Sequence, residues 1–187
     1  NYSTMNAGKS TTLLQAAHNY SERGMNVYLL NAELDTRSGQ NTIGSRIGIS
    51  APAHNFTESD NLFDRIEAAL STSPISCVLI DEAQWLTKKQ VWELSSVVDT
   101  LNIPVVTYGL RTDFQGNLFP GSGALLAIAD TIKEIKAVCH CGKKATLTLR
   151  LNAQGEATLD GPQTQVGGDD VYESVCRKHW KEAVQVR

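Results

Sequence analysis

The chain has no apolar run approaching the roughly 20 residues needed to cross a membrane. It also has no visible secretion signal. A membrane protein is not expected, and the compartment read from these absences is the cytoplasm. Basic excess is missing as well. There are 17 Lys and Arg against 20 Asp and Glu, a net charge of −3. A general nucleic-acid binder normally shows a cationic surplus, so no nucleic-acid partner is expected. Internal repeats and low-complexity tracts are absent too, which leaves no solenoid or linker to consider. Cysteine is sparse, with Cys77, Cys139, Cys141 and Cys176 alone. Without a secretion signal, metal binding is a better default for the late three than disulfides. What is present, 187 residues with 41% hydrophobic and 20% charged, fits one soluble domain with a small appendage. The chain does not begin with Met and only Asn1 and Tyr2 precede the glycine loop, so a trimmed start is expected.

Apolar runs alternate with helical patterns along the first two thirds. "STTLLQAAHNYSERG" carries Leu13, Leu14, Ala17 and Tyr20 at helical spacing and stops at Gly24. Residues 26–32 read as a buried strand, 62–70 as an amphipathic helix, and 76–85 as a buried strand ending in carboxylates. Residues 87–101 form a further helix, with Thr87 and Gln90 at capping-box spacing, and 103–110 a further strand. Residues 35–61 show no period and read as a long functional loop. Strands alternating with helices imply a parallel sheet covered on both faces, with ligands beyond the carboxyl ends of its strands. Near residue 137 the character changes: residues 145–151 alternate as an antiparallel strand does, and turn residues follow.

"STMNAGKST" ends in Gly8-Lys9-Ser10, as a phosphate-binding loop does. Backbone N–H groups from Ser3, Thr4, Met5, Asn6, Ala7 and Gly8 would cradle phosphate oxygens at a helix start. Lys9 would reach the terminal phosphates and Ser10 would ligate Mg²⁺. Ser3 stands where the pattern normally opens with glycine. "CVLIDEAQ" supplies the matching carboxylates: Asp81 ends an apolar strand, as expected of a residue that helps to hold Mg²⁺. Glu82 follows it. Such a glutamate activates water in a hydrolase, or takes a proton from a substrate hydroxyl in a kinase. Downstream, Cys139-x-Cys141 and Cys176-x-x-His179 offer four ligands of the type that holds structural Zn²⁺, and Cys77 in its apolar strand reads as core.

The motifs "STMNAGKST", "DTR", "DEAQW", "YGLRTDFQGNLF", "CHCGKKA" and "VGGDDVYESVCRKH" occur in that order. Together they resemble thymidine kinases of the zinc-containing type, over essentially the whole chain. In the bacterial members the phosphate loop commonly opens with serine, so Ser3 fits the resemblance. It implies an α/β fold: a P-loop (RecA-like) parallel sheet flanked by helices over residues 1–136, and a small zinc domain with a lasso loop over 137–187. It implies γ-phosphate transfer from ATP to the 5′-hydroxyl of thymidine, with Mg²⁺ as catalytic and Zn²⁺ as structural metal, in a homotetramer. By resemblance Glu82 is the general base. Lys9, Ser10, Asp81 and Gln84 surround the phosphates and Mg²⁺, and Arg37 neutralises the transferring phosphoryl. The base pocket falls to Met5, Leu110, Phe114, Phe119 and Thr148, with Val166, Gly167, Gly168 and Tyr172 from the lasso. Cys139, Cys141, Cys176 and His179 hold the zinc.

Overall fold

The computed structural model describes residues 1–37, 39–163 and 171–185. The apolar runs of the first two thirds become parallel strands because their side chains alternate between two helical layers. The strands β1 (Tyr2–Ser3) and β2 (Val27–Ala32) flank helix α1 (Lys9–Ser21) in the chain. An antiparallel pair, β3 (Thr42–Gly44) and β4 (Ser50–Pro52), precedes strand β5 (His54–Phe56) and helix α2 (Leu62–Leu70). Then come β6 (Cys77–Ile80), α3 (Lys88–Leu101), β7 (Val105–Thr107), β8 (Gly109–Leu110) and α4 (Pro120–Ile128). The main sheet runs β5-β2-β6-β7, all parallel, and β1 pairs in parallel with β8. Tyr108 joins the two, since its N–H donates to the Ile80 carbonyl while the Gly109 N–H donates to that of Asn1.

Period-two alternation sorts the core. Leu29, Cys77 and Leu79 face α1, where they pack with Leu13, Leu14 and Ala17. Leu30, Ala32, Val78 and Ile80 face the other way, against Ile66 of α2 and Val91, Leu94 and Val97 of α3. Each fully buried Leu or Ile of these layers contributes about 1.5–3 kcal/mol relative to exposure. Helix α3 starts at the capping box read from its sequence: Gln90 N–H donates to Thr87 Oγ1, and Thr87 N–H to Gln90 Oε1.

Three local expectations are corrected. Residues 35–61 are not one aperiodic loop. They hold the β3–β4 pair, anchored by buried Ile43 against α1, and the sheet-edge strand β5, anchored by buried Phe56. Strands of three residues are too short to show a period, so tertiary contact decides them. The run 76–85 ends as a strand at Ile80 and turns into a single 3₁₀ turn, Ala83–Trp85. Helix α4 is not among the expected elements, although Pro120 at its first position signals a start. Gly121 lets it approach that 3₁₀ turn: a Cβ there would lie 2.5 Å from the Leu86 carbonyl oxygen.

Beyond residue 136 a smaller core forms. Strands β9 (Ala137–Val138) and β10 (Lys144–Ala145) make a hairpin, and β11 (Leu147–Leu151) is flanked by β12 (Ala157–Thr158) and β13 (Tyr172–Val175), all antiparallel. Helix α5 (Arg177–Ala183) closes it. Its buried members are Cys139, Ala145, Leu149, Val175, Cys176 and Trp180.

Candidate active site

The first half of the site forms where β1 and β6 end. Asn6 and Gly8 take left-handed backbone conformations (φ 60° and 82°), which turn the chain tightly into α1. Glycine adopts this freely and asparagine tolerates it. Helix α1 has neither a side-chain cap nor an acidic residue in its first turn. Its N-terminal N–H groups and dipole therefore present a positive end. Ser3, Thr4 and Lys9 are buried, and Lys9 Nζ donates to the Thr4 carbonyl at 3.0 Å. Burial holds the Lys9 ammonium below its usual pKa, while Glu82 and Asp81 act in the opposite sense.

Asp81 lies just past β6, 2% exposed, and its Oδ1 accepts from the Glu82 N–H at 3.0 Å. Burial raises its pKa to about 6, with the Glu82 carboxylate adding to the rise and a hydrogen bond to the Ser10 side chain opposing it. Glu82 itself has φ 51°, a left-handed conformation that costs a non-glycine residue about 1–3 kcal/mol. Both of its carboxylate oxygens are engaged. Arg37 Nη2 donates to Oε1 and Gln84 Nε2 to Oε2, each at 2.5 Å. Arg37 also pairs with Asp35 at 2.5 Å. Burial weakens the Arg37 charge, but its bonds to Asp35 and the Glu82 carboxylate outweigh that and hold it fully protonated. Gln84 is fixed in turn, because its Oε1 accepts from the Leu110 N–H at 2.9 Å.

Glu82 is also the hinge to the second half, an apolar cavity. Met5, Leu110, Phe114, Phe119, Thr148 and Tyr172 line it together with Arg37, Glu82 and Gln84. All six described residues assigned from sequence to a base pocket thus share one cavity. Val166, Gly167 and Gly168 lie outside the described residues. The lining also includes Leu34, Asp35, Trp85, Thr112, Asp113 and Gln163, which sequence reasoning did not single out. Most of these stand inside motifs already quoted ("DTR", "DEAQW", "YGLRTDF"), whereas Leu34 and Gln163 carry no sequence signal. One wall comes from the small sheet. Leu147, Leu149 and Leu151 of β11 pack on its core, so Thr148 and Arg150 fall on the opposite face. Ser174 and Tyr172 of β13 stand directly opposite them. Ser174 Oγ donates to the Met5 carbonyl at 2.7 Å, joining this wall to the loop of residues 3–8.

The four metal-type ligands also converge. Cys139 and Cys141 sit in the β9–β10 turn, closed by hydrogen bonds from the Gly142 N–H to the Cys139 carbonyl and from the Cys139 N–H to that of Lys143. Cys176 caps α5 and His179 lies in its first turn. Their ligand atoms all lie within 4.8 Å of one another. Cys139 Sγ and His179 Nδ1 are 3.3 Å apart, Cys176 Sγ and the same nitrogen 3.7 Å, and Cys141 Sγ and Cys176 Sγ 4.0 Å. Ordinary zinc–sulfur and zinc–nitrogen bond lengths put the corners of a tetrahedral site about 3.5–3.8 Å apart, so the three thiols and the imidazole fit Zn²⁺. His179 Nε2 faces Glu182 at 3.9 Å, and the His140 ring stacks on the His179 ring. Contacts of this kind orient a ligating imidazole.

A family model described as thymidine kinase matches residues 1–180. The chain belongs to the thymidine kinase family. It is 59% identical to the thymidine kinase of Jannaschia sp. (strain CCS1), over 98% of this chain and 94% of that relative. It is 55% identical to the thymidine kinase of Rhodopirellula baltica, over 100% of this chain and 88% of that one. The Haemophilus influenzae thymidine kinase is 57% identical, over 97% and 94%. The family is one of kinases, which makes ATP the expected phosphate donor. Among the described residues no helix is long and apolar enough to cross a membrane.

Proposed function

We propose that the chain transfers the γ-phosphoryl group of ATP to the 5′-hydroxyl of thymidine, and of deoxyuridine, giving nucleotides for DNA precursor salvage. The observation that carries the assignment of residues is the position of Glu82. Its carboxylate lies at once within electrostatic reach of buried Lys9 and on the wall of the apolar cavity. A group that takes the proton of a nucleoside hydroxyl must stand where the phosphate site and the base site meet.

Phosphoryl transfer depends chiefly on positioning and positive charge. In this reading residues 3–8 and the start of α1 form the P-loop of a RecA-like sheet and cradle the phosphates, with Lys9 on the terminal ones. Arg37 already bridges Asp35 and Glu82, and an incoming phosphoryl group offers the same guanidinium a stronger acceptor. Glu82 accepts the hydroxyl proton as the 5′-oxygen bonds to phosphorus and the bond to the bridging oxygen of ADP breaks. Ser10 and Asp81, oxygen donors joined by a hydrogen bond, fit Mg²⁺ and would hold it. Mg²⁺ neutralises phosphate charge when bound. Phe114 and Phe119 offer ring faces to the base, and residues 165–172 act as the lasso that reads its polar edge. Zn²⁺ at Cys139, Cys141, Cys176 and His179 stabilises residues 137–187, which carry that loop, while residues 1–136 serve ATP. Assembly as a cytoplasmic homotetramer belongs to the same reading.

An ADP-release assay across thymidine, deoxyuridine, deoxycytidine and deoxyadenosine tests it. Fast ADP release is expected with the first two nucleosides alone. Release that ignores the nucleoside would make the chain an ATPase.

A further inference from the structure

Arg150 is 4% exposed, yet among the described residues it forms no ion pair with a carboxylate. A buried guanidinium costs several kcal/mol unless its donors are satisfied. Its donors go to main-chain carbonyls, with Nη1 on Pro162 at 2.8 Å and Nη2 on Asp160. Its plane covers the Phe114 ring, with Cζ 3.6 Å from the ring centroid. Gly161 lies between the two carbonyls at φ 103°, a backbone conformation that favours glycine, with the guanidinium packed against its Cα. Phe114 is gripped from a second side, where Trp180 Nε1 donates to its carbonyl at 3.1 Å. Two side-chain struts run parallel to Arg150: Gln115 Nε2 to the Leu159 carbonyl and Gln163 Nε2 to Asp113 Oδ2, both at 2.7 Å.

We infer that Arg150 is a positioning residue for the nucleoside. Its guanidinium locks the Phe114 ring to the backbone of residues 160–162, which leads directly into Gln163, so Phe114 and Gln163 of the cavity lining are held as one unit. The inference rests on the reading of the cavity as the thymidine site. It follows from chemistry that other side chains lack. Only a planar, permanently charged fork can stack on a ring and hold two carbonyls at once. Lysine keeps the charge but has neither the plane nor the fork. Arg150 is buried behind the ring and does not line the cavity, so it acts on the nucleoside through Phe114.

Steady-state kinetics on Arg150→Met and Arg150→Lys test this in the full chain, beside wild type and Phe114→Leu. The expected result for Arg150→Met is a rise of roughly tenfold or more in KM for thymidine, with KM for ATP and kcat within about threefold of wild type. Arg150→Lys should recover little of the loss. In the Phe114→Leu background, Arg150→Met should add less than about threefold, because the ring through which it acts is gone. Equal rises in both KM values would mean general loosening and overturn the inference, as would full rescue by lysine. If Arg150→Met does not fold, Arg150→Lys decides, alone and combined with Phe114→Leu: it should still raise KM for thymidine in the wild-type background and add less than about threefold in the Phe114→Leu background. A wild-type enzyme that ignores thymidine would sink the parent reading and this one together. A normal wild type with an unaffected Arg150→Met would sink only this one.

Discussion

The proposed phosphate side and the proposed base side of the site are built by opposite means. Lys9 at the start of α1, and Asp81 and Glu82 just past β6, are charges set at the carboxyl end of a sheet that already has two apolar layers behind it. Their placement costs stability, in desolvation and in the left-handed Glu82 backbone, and the large core can offset it. The base side has only a handful of buried apolar residues and leans on Cys139, Cys141, Cys176 and His179 instead. A small core needs such a staple to hold its strands in register. The contrast teaches that damage on the two sides should separate: chemistry on one, nucleoside affinity on the other.

The sharpest test of that separation is Glu82→Gln. The amide keeps the shape and an acceptor for Arg37, but it cannot take a proton. Loss of a general base typically lowers kcat by about 10²- to 10⁴-fold. Nucleotide affinity should hold, since Lys9 and the phosphate loop are untouched. Isothermal titration with ATP beside a kcat measurement checks both halves, and a near-normal kcat would remove Glu82 from its role.

Next in size is the staple. About one zinc per chain is expected from metal analysis of purified protein. Cys141→Ser should weaken that binding and raise KM for thymidine roughly tenfold or more, because the wall carrying Thr148 and Tyr172 loses its anchor. KM for ATP should barely move. Parallel rises in the two constants would show that the halves are mechanically one, which breaks the comparison.

Much of this division is legible in the sequence because local rules and tertiary packing agree. The apolar runs "VYLLNA" and "CVLI" read as buried strands between helices, and a parallel sheet with helices on both faces is what formed. The capping box at Thr87 works from four consecutive residues. The failures are contacts between segments far apart in the chain. Ile43 and Phe56 look unremarkable in an irregular stretch until α1 and the sheet edge are present to receive them. The family resemblance assigned Phe114 to the base pocket, and the structure puts it on the cavity wall, but nothing in the sequence couples it to Arg150. Arg150 in "TLTLRL" reads as the polar side of an antiparallel strand, and its stack appears only once residues 110–117 cross that face.

The smallest expected effect is one of stability, and it runs against intuition. Asp81→Asn should abolish or severely reduce activity, yet stabilise the protein above neutral pH. Burial, with help from Glu82, raises the Asp81 pKa from its ordinary 3.8 to about 6. A folded-state value above the unfolded one means that the fold holds this proton longer. The stability it brings is complete below the unfolded value and is lost as pH climbs through about 6. At pH 8 the wild-type fold therefore carries a buried charge that asparagine does not. The gain should be about 1–3 kcal/mol, since each tenfold change in proton affinity is worth roughly 1.4 kcal/mol. The asparagine oxygen can still accept from the Glu82 N–H, and the Ser10 hydroxyl can donate to that oxygen or accept from the amide nitrogen, so local hydrogen bonding survives. At pH 4.5 the folded wild type is mostly neutral at this position, so the advantage should fall to roughly a third, and it vanishes only below the unfolded value of 3.8. Denaturant unfolding of the two proteins at pH 8 and pH 4.5, without nucleotide or magnesium, measures the difference directly. A variant less stable than wild type at pH 8 would mean that the hydrogen bonds to the carboxylate outweigh its desolvation, and that the phosphate side is not held at a cost to the fold.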